Sequence, residues 1–152
     1  MVAFNLGTQH NQSNTAVDTY VDRQLAALEF KIKAGSVCVT GEGFWGQALG
    51  ADFVRTNMDI NPTPADGGDP KEIEAISGFL SATATINDKQ NISFGYGVDD
   101  PKDEDMEGIN ALTNFQYTKN SILFANTWYK ITQAIQVGAE TMYVNTQRFD
   151  QT

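Results

Sequence analysis

The chain has 152 residues, 41% of them hydrophobic, and a formal net charge of −9. That length suits one domain, and an acidic excess with no basic patch excludes nucleic-acid backbones as partners. No run approaches the ~20 apolar residues that a spanning helix needs, which excludes a helical membrane protein. A transmembrane barrel stays open, because its strands need only every second residue to be apolar.

Residues 1–10, MVAFNLGTQH, contain neither the basic segment nor the apolar run of an export signal. Alternation starts almost at Met1, with Val2, Phe4 and Leu6 against Ala3, Asn5 and Gly7, and predicts a short first strand. The chain also stops just as a strand is ending. Two readings follow, a soluble intracellular protein or a piece of a longer protein that lacks its export signal, and the early alternation favours the second. A polar loop is expected over about residues 8–18.

A second strand runs from about Thr19 to Lys33, with Ala26, Leu28, Phe30 and Ile32 on one face and Ala27, Glu29 and Lys31 on the other. Ala34-Gly35-Ser36 is a short turn. The third strand carries Val37, Val39, Gly41, Gly43 and Trp45 opposite Cys38, Thr40, Glu42 and Phe44. Cys38 is the one cysteine, so no internal disulfide can form. It reads as a small filler in mid-strand.

Residues 46–74 read as a long loop rich in proline, glycine and aspartate, with a helical turn expected near Pro70 to Ile73. The fourth strand follows from Ala75 to Ile86, and Asn87-Asp88-Lys89-Gln90 forms a compact turn. The fifth strand sets Ile92, Phe94, Tyr96 and Val98 against Ser93, Gly95 and Gly97. An acidic loop over about residues 99–114 leads to the last hairpin, Lys119 to Val144, which turns around Thr132 and Gln133. There Ile135, Val137, Ala139, Thr141 and Tyr143 alternate with Gln136, Gly138, Glu140 and Met142. In the sixth strand either face could be the apolar one, and Asn126 and Lys130 favour turning Ile122, Phe124 and Trp128 towards the charged side.

Connections therefore alternate long and short through seven strands. Greek-key sandwiches mix loop lengths at both ends, whereas up-and-down transmembrane barrels put tight turns at one end and long loops at the other. The strands reach or exceed the ~9–11 residues that cross a bilayer. Glu29, Lys31, Glu42 and Glu140 all lie opposite the aliphatic row, as a lipid-facing surface requires. Trp45, Tyr96, Trp128, Tyr129 and Tyr143 are expected towards strand ends, where aromatic girdles occur. The fold class expected is all-β: an antiparallel up-and-down transmembrane β-barrel, incomplete at about seven strands, with residues 1–152 as a single segment.

Residues 41–50 (GEGFWGQALG), 94–101 (FGYGVDDP) and 119–140 make the chain resemble porin-like outer-membrane proteins of Gram-negative bacteria, and their carboxy-terminal half in particular. The similarity spans most residues from about Tyr20 onward. It implies a bacterial outer-membrane β-barrel with channel character. It supplies no solute, because these motifs are structural. The chain departs from the family in lacking a signal peptide, the amino-terminal strands and a final strand ending in an aromatic residue.

The function expected is passive diffusion of small hydrophilic solutes through a water-filled lumen. Candidate pore-lining residues are Glu29, Lys31, Glu42, Lys130, Gln136 and Glu140, since rings of charge bias ion passage. The residue 46–74 loop is long enough to fold inward as a constriction. Outer-membrane lipid, lipopolysaccharide, the solutes and further copies of the chain are the expected partners. The acidic loop offers Asp99, Asp100, Asp103 and Asp105 as oxygen ligands for Ca2+. It lacks the spacing of an EF-hand, and a solvated loop explains it equally well, so no cofactor is otherwise expected. His10, the one histidine, has Ser13 and Asn14 nearby but no carboxylate or glycine-elbow context, so no enzyme is expected. The alternative is a soluble all-β binding or structural module, a sandwich whose apolar faces meet across a core.

Overall fold

The computed structural model describes residues 2–12, 20–49, 60–62, 65, 67–109 and 117–148, with 2–12, 20–22 and 117 described in backbone only. Seven long strands form one sheet: β1 (Val2–Gln12), β2 (Tyr20–Ala34), β3 (Val37–Gln47), β6 (Glu74–Asn87), β7 (Gln90–Pro101), β8 (Tyr117–Lys130) and β9 (Gln136–Arg148). Their order in the sheet is their order in the chain, and every neighbouring pair is antiparallel. That is an up-and-down meander. Its two edges, β1 and β9, are not paired with each other. The fold is therefore an open section of a barrel wall.

All three tight turns lie at one end of the sheet. Gly35 takes φ +60° in the two-residue link between β2 and β3, a conformation that favours glycine. Between β6 and β7 the Lys89 amide donates to Asn87 Oδ1 at 2.9 Å, which closes an Asx turn. Between β8 and β9 the Thr132 hydroxyl accepts from the amides of Ala134 and Ile135 at 3.2 and 3.1 Å. The long connections lie at the opposite end.

Those long segments hold more structure than the sequence suggests. Strand β1 continues through Gln12, so Thr8 to Gln12 are ladder rather than loop, and His10 pairs with Asp22. Ser13 and Asn14 lie outside the described residues. The helical turn expected near Pro70 to Ile73 is instead β5 (Lys71–Glu72), paired with β4 (Ile60–Asn61) as a two-stranded ribbon. A ladder partner brought from ten residues upstream overrides the local turn chemistry. The acidic stretch contributes Asp99 to Pro101 to β7 and then a one-turn helix, α1 (Asp103–Met106).

Register fixes the two faces, because residues directly opposite each other point the same way. One row across the sheet reads Phe30, Gly41, Leu80, Tyr96, Leu123, Tyr143. The adjacent row on the other face reads Glu29, Glu42, Phe79, Gly97, Ile122, Val144. On the first face Leu80 is 52% exposed, Phe94 61% and Tyr143 68%. Among the described residues no second sheet covers them, and the buried apolar side chains (Leu49, Ile73, Met106) all belong to the long-loop end. A sandwich would bury this face; here it stays open.

Three aromatic rings lie over cross-strand glycines. Phe30 covers Gly41, Phe124 covers Gly95 and Trp128 covers Gly138, each a directly opposed pair. A Cβ on Gly95 would stand 2.3 Å from the Phe124 ring. On Gly43 a Cβ would meet nothing within 4 Å. Gly95→Val should therefore lower the stability of the folded full-length protein by about 1–3 kcal/mol through overpacking, whereas Gly43→Val should leave it nearly unchanged. Thermal unfolding of both variants in detergent or lipid checks this; equal effects would contradict the register.

Candidate functional site

The sheet brings the six charged and polar candidates to one face. Glu29 and Lys31 alternate on β2, Glu42 stands directly opposite Glu29, Lys130 opposes Gln136, and Glu140 opposes Asn126. In β8 the sorting places Ile122, Phe124 and Trp128 on this same face as Asn126 and Lys130. Polar side chains pair across the strands here. Thr83 Oγ1 and Ser93 Oγ are 2.9 Å apart, Asn126 donates to Glu140 Oε2 at 3.2 Å, and the Thr146 hydroxyl donates to Asn120 Oδ1 at 2.5 Å. Such groups need hydrogen-bond partners, and across this face they supply one another.

The aromatic expectation needs correction at Tyr96 and Tyr143. Trp128 lies near the end of β8 and on the charged face over Gly138, the side that Asn126 and Lys130 favour. Tyr96 and Tyr143 stand in mid-strand rather than at strand ends, because they share the row of Leu80 and Leu123. Trp45 is at the long-loop end, where its indole N–H donates to Glu74 Oε1 at 2.7 Å. Asp100 and Lys119 form an ion pair on the same apolar face at that end. Among the described side chains, carboxylates and ammonium groups thus enter the apolar face only near the long loops, where Glu74, Asp100 and Lys119 are partnered. Period-2 counting alone did not reveal these exceptions.

The long connection between β3 and β6 starts against the charged face. Leu49 is buried with Ala75 against Leu25 and Phe44, two side chains of that face. Arg23 Nε donates to the Ala48 carbonyl at 2.8 Å, and the Ala48 amide donates to the Ile73 carbonyl at 3.0 Å. Ala48 holds φ +54°, an uncommon conformation for alanine that these two bonds fix in place. The ribbon is then tied to α1. Asn61 Nδ2 donates to the carbonyls of Asp105 and Glu107 at 3.0 and 2.7 Å. Asp105 Oδ2 accepts from the Glu74 amide at 3.1 Å, and Oδ1 lies 2.5 Å from Lys71 Nζ.

The four aspartates considered as cation ligands serve separate purposes. Asp99 is on the charged face of β7, Asp100 pairs with Lys119 on the other, Asp103 is exposed on α1, and Asp105 is buried at the ribbon. Among the described residues no three His, Cys, Asp or Glu side chains converge to hold a metal ion.

No family model matches the chain, and no curated protein matches it. A solved structure does share its fold: the outer membrane channel DcaP of Acinetobacter baumannii, with a TM-score of 0.80 at 16% identity. The fold is that of part of an outer-membrane channel barrel. The superposition covers 99% of this chain and 42% of that one, so the chain spans less than half of the channel it matches. At such low identity the likeness lies in the backbone path and not in particular side chains.

Asn61 was not singled out in the sequence, and Asp105 only as a candidate cation ligand; an Asn in a proline-rich stretch was the available signal. Asn61→Ala removes two side-chain hydrogen bonds at a buried position, a loss of about 1–3 kcal/mol for the ribbon's attachment. Limited proteolysis should then cut within residues 50–70 faster than in the parent protein, with the sheet intact by circular dichroism.

Proposed function

We propose that this chain forms part of the wall of a porin-like channel in a bacterial outer membrane, through which small hydrophilic solutes diffuse passively. One observation carries the reading: a single sheet leaves its apolar face uncovered while its other face collects the charges and an inward-folded segment. Hydrocarbon is the environment that makes such an apolar face stable without a second layer. Glu29, Lys31, Glu42, Lys130, Gln136 and Glu140 would then line the water-filled side and bias ion passage. Outer-membrane lipid and lipopolysaccharide would meet the apolar face and its polar rim, and further copies of the chain could pack there as a homo-oligomer. No catalytic step enters the proposal.

A soluble sandwich is the weaker reading, since it needs a second apolar layer and the described residues supply none. Leu80→Lys tests what the uncovered apolar face meets. The side chain is 52% exposed, so if that face meets water the change should be nearly neutral. On a lipid face near the midplane it should cost about 2–4 kcal/mol. Folding of the full-length protein into vesicles, followed by denaturant titration, measures the difference. Planar-bilayer conductance then tests the channel. With a chain charge of −9, the expected reversal potential indicates preference for cations, and the double change Glu29→Gln with Glu42→Gln should weaken it. A full-length protein that inserts without conducting would end this reading.

A further inference from the structure

The charged face also holds an apolar cleft that none of the pore-lining candidates explains. It has a volume of about 280 Å³ and is walled by Phe44, Phe79 and Ile122, with Asp99 and Asn120 at its polar side. Gly97 makes the floor. A Cβ there would stand 3.2 Å from Ile122 Cγ2 and 3.7 Å from Phe79 Cβ, so any side chain would occupy the cleft. Phe79 remains 45% exposed although it sits on a face otherwise rich in hydrogen-bonding groups. An aromatic wall on the wet side of a sheet is available to a solute, and the volume suits one ring with a short substituent.

Charge selects among such solutes. The row Glu29, Glu42, Phe79, Gly97, Ile122, Val144 and the neighbouring row Ala27, Phe44, Ser77, Asp99, Asn120, Thr146 carry three carboxylates and no basic residue. Asp99 lines the cleft and Glu42 stands directly across from Phe79. Among the described residues neither carboxylate makes an ion pair. A cation near the two phenylalanine faces gains from their ring quadrupoles as well as from the carboxylates. We infer that the cleft between Phe79 and Ile122 is a binding subsite for small aromatic ammonium solutes, the ring against Phe44 and Phe79 and the ammonium at Asp99. This inference rests on the water-filled side assigned under the proposed function.

The test uses the full-length protein in detergent, with benzylammonium as the probe and benzyl alcohol and benzoate as its neutral and anionic counterparts. Calorimetric titration should give saturable benzylammonium binding, at least about tenfold tighter than either counterpart. Asp99→Asn should weaken it about tenfold, and Gly97→Ala should abolish it by filling the floor. Asp99→Asn is nearly isosteric on a half-buried site and is expected to fold, which keeps the test usable if Gly97→Ala does not. Equal binding of benzoate, or benzylammonium affinity unmoved by Asp99→Asn, overturns the inference. Conductance recorded on the same preparations separates the two claims. Asp99-dependent binding without conductance retains the subsite and rejects the channel, whereas conductance without Asp99-dependent binding rejects the subsite alone.

Discussion

A β-sheet commits its backbone polar groups to its neighbours, and this fixes where every side chain can point. Once the register places Glu29 opposite Glu42 and Phe30 opposite Gly41, all other strands must follow or lose ladder hydrogen bonds. The result is one surface rich in Leu, Ile, Phe and Tyr and another that collects the carboxylates, amides and hydroxyls together with some aromatic and aliphatic side chains. A soluble protein resolves such a surface by packing a second layer on it, at about 1.5–3 kcal/mol for each large side chain removed from water. This sheet has no such layer among its described residues, so its apolar face stands uncovered there. The exceptions support the same account. Glu74, Asp100 and Lys119 reach the apolar face only beside the long loops, and each has a partner there.

What compactness the described part has is concentrated at that end. The segment after β3 is held by Arg23 to the Ala48 carbonyl, by the Leu49 side chain against Leu25 and Phe44, and by Asn61 and Asp105 between the ribbon and α1. These contacts join residues far apart in sequence, and they hold Ala48 and Leu49, where the connection leaves β3, against the charged face. The buried Asp105 is stabilised by the Lys71 ammonium and the Glu74 amide, which is how a carboxylate stays in a water-poor site.

Aromatic rings over glycines give the sheet a second, local kind of order. Each ring covers the gap left by a missing Cβ on the facing strand and shields the ladder there. Trp128 shows the consequence for interpretation. Alternation with Asn126 and Lys130 puts it on the charged face, and there the indole lies over Gly138 on the facing strand. Gly97 is the contrasting case, because no ring covers it and the gap between Phe79 and Ile122 stays open.

The alternation in residues 20–47, 75–98 and 119–144 already determined the strands, the tight turns and the segregation of Glu29, Lys31, Glu42 and Glu140, because period-2 geometry is local. It also determined the loop rhythm from which an up-and-down sheet follows. Tertiary structure alone decided that Lys71 and Glu72 pair as a strand with Ile60 and Asn61, that β1 extends through His10, and that Asp99 to Asp105 scatter to four environments. It alone set Phe44, Phe79 and Ile122 around Gly97. Each of these depends on which residue lies opposite across a hydrogen-bonded ladder or a folded-back segment. A one-dimensional pattern carries the face of a residue but not its neighbour, and neighbours are what close a cleft or bury a carboxylate.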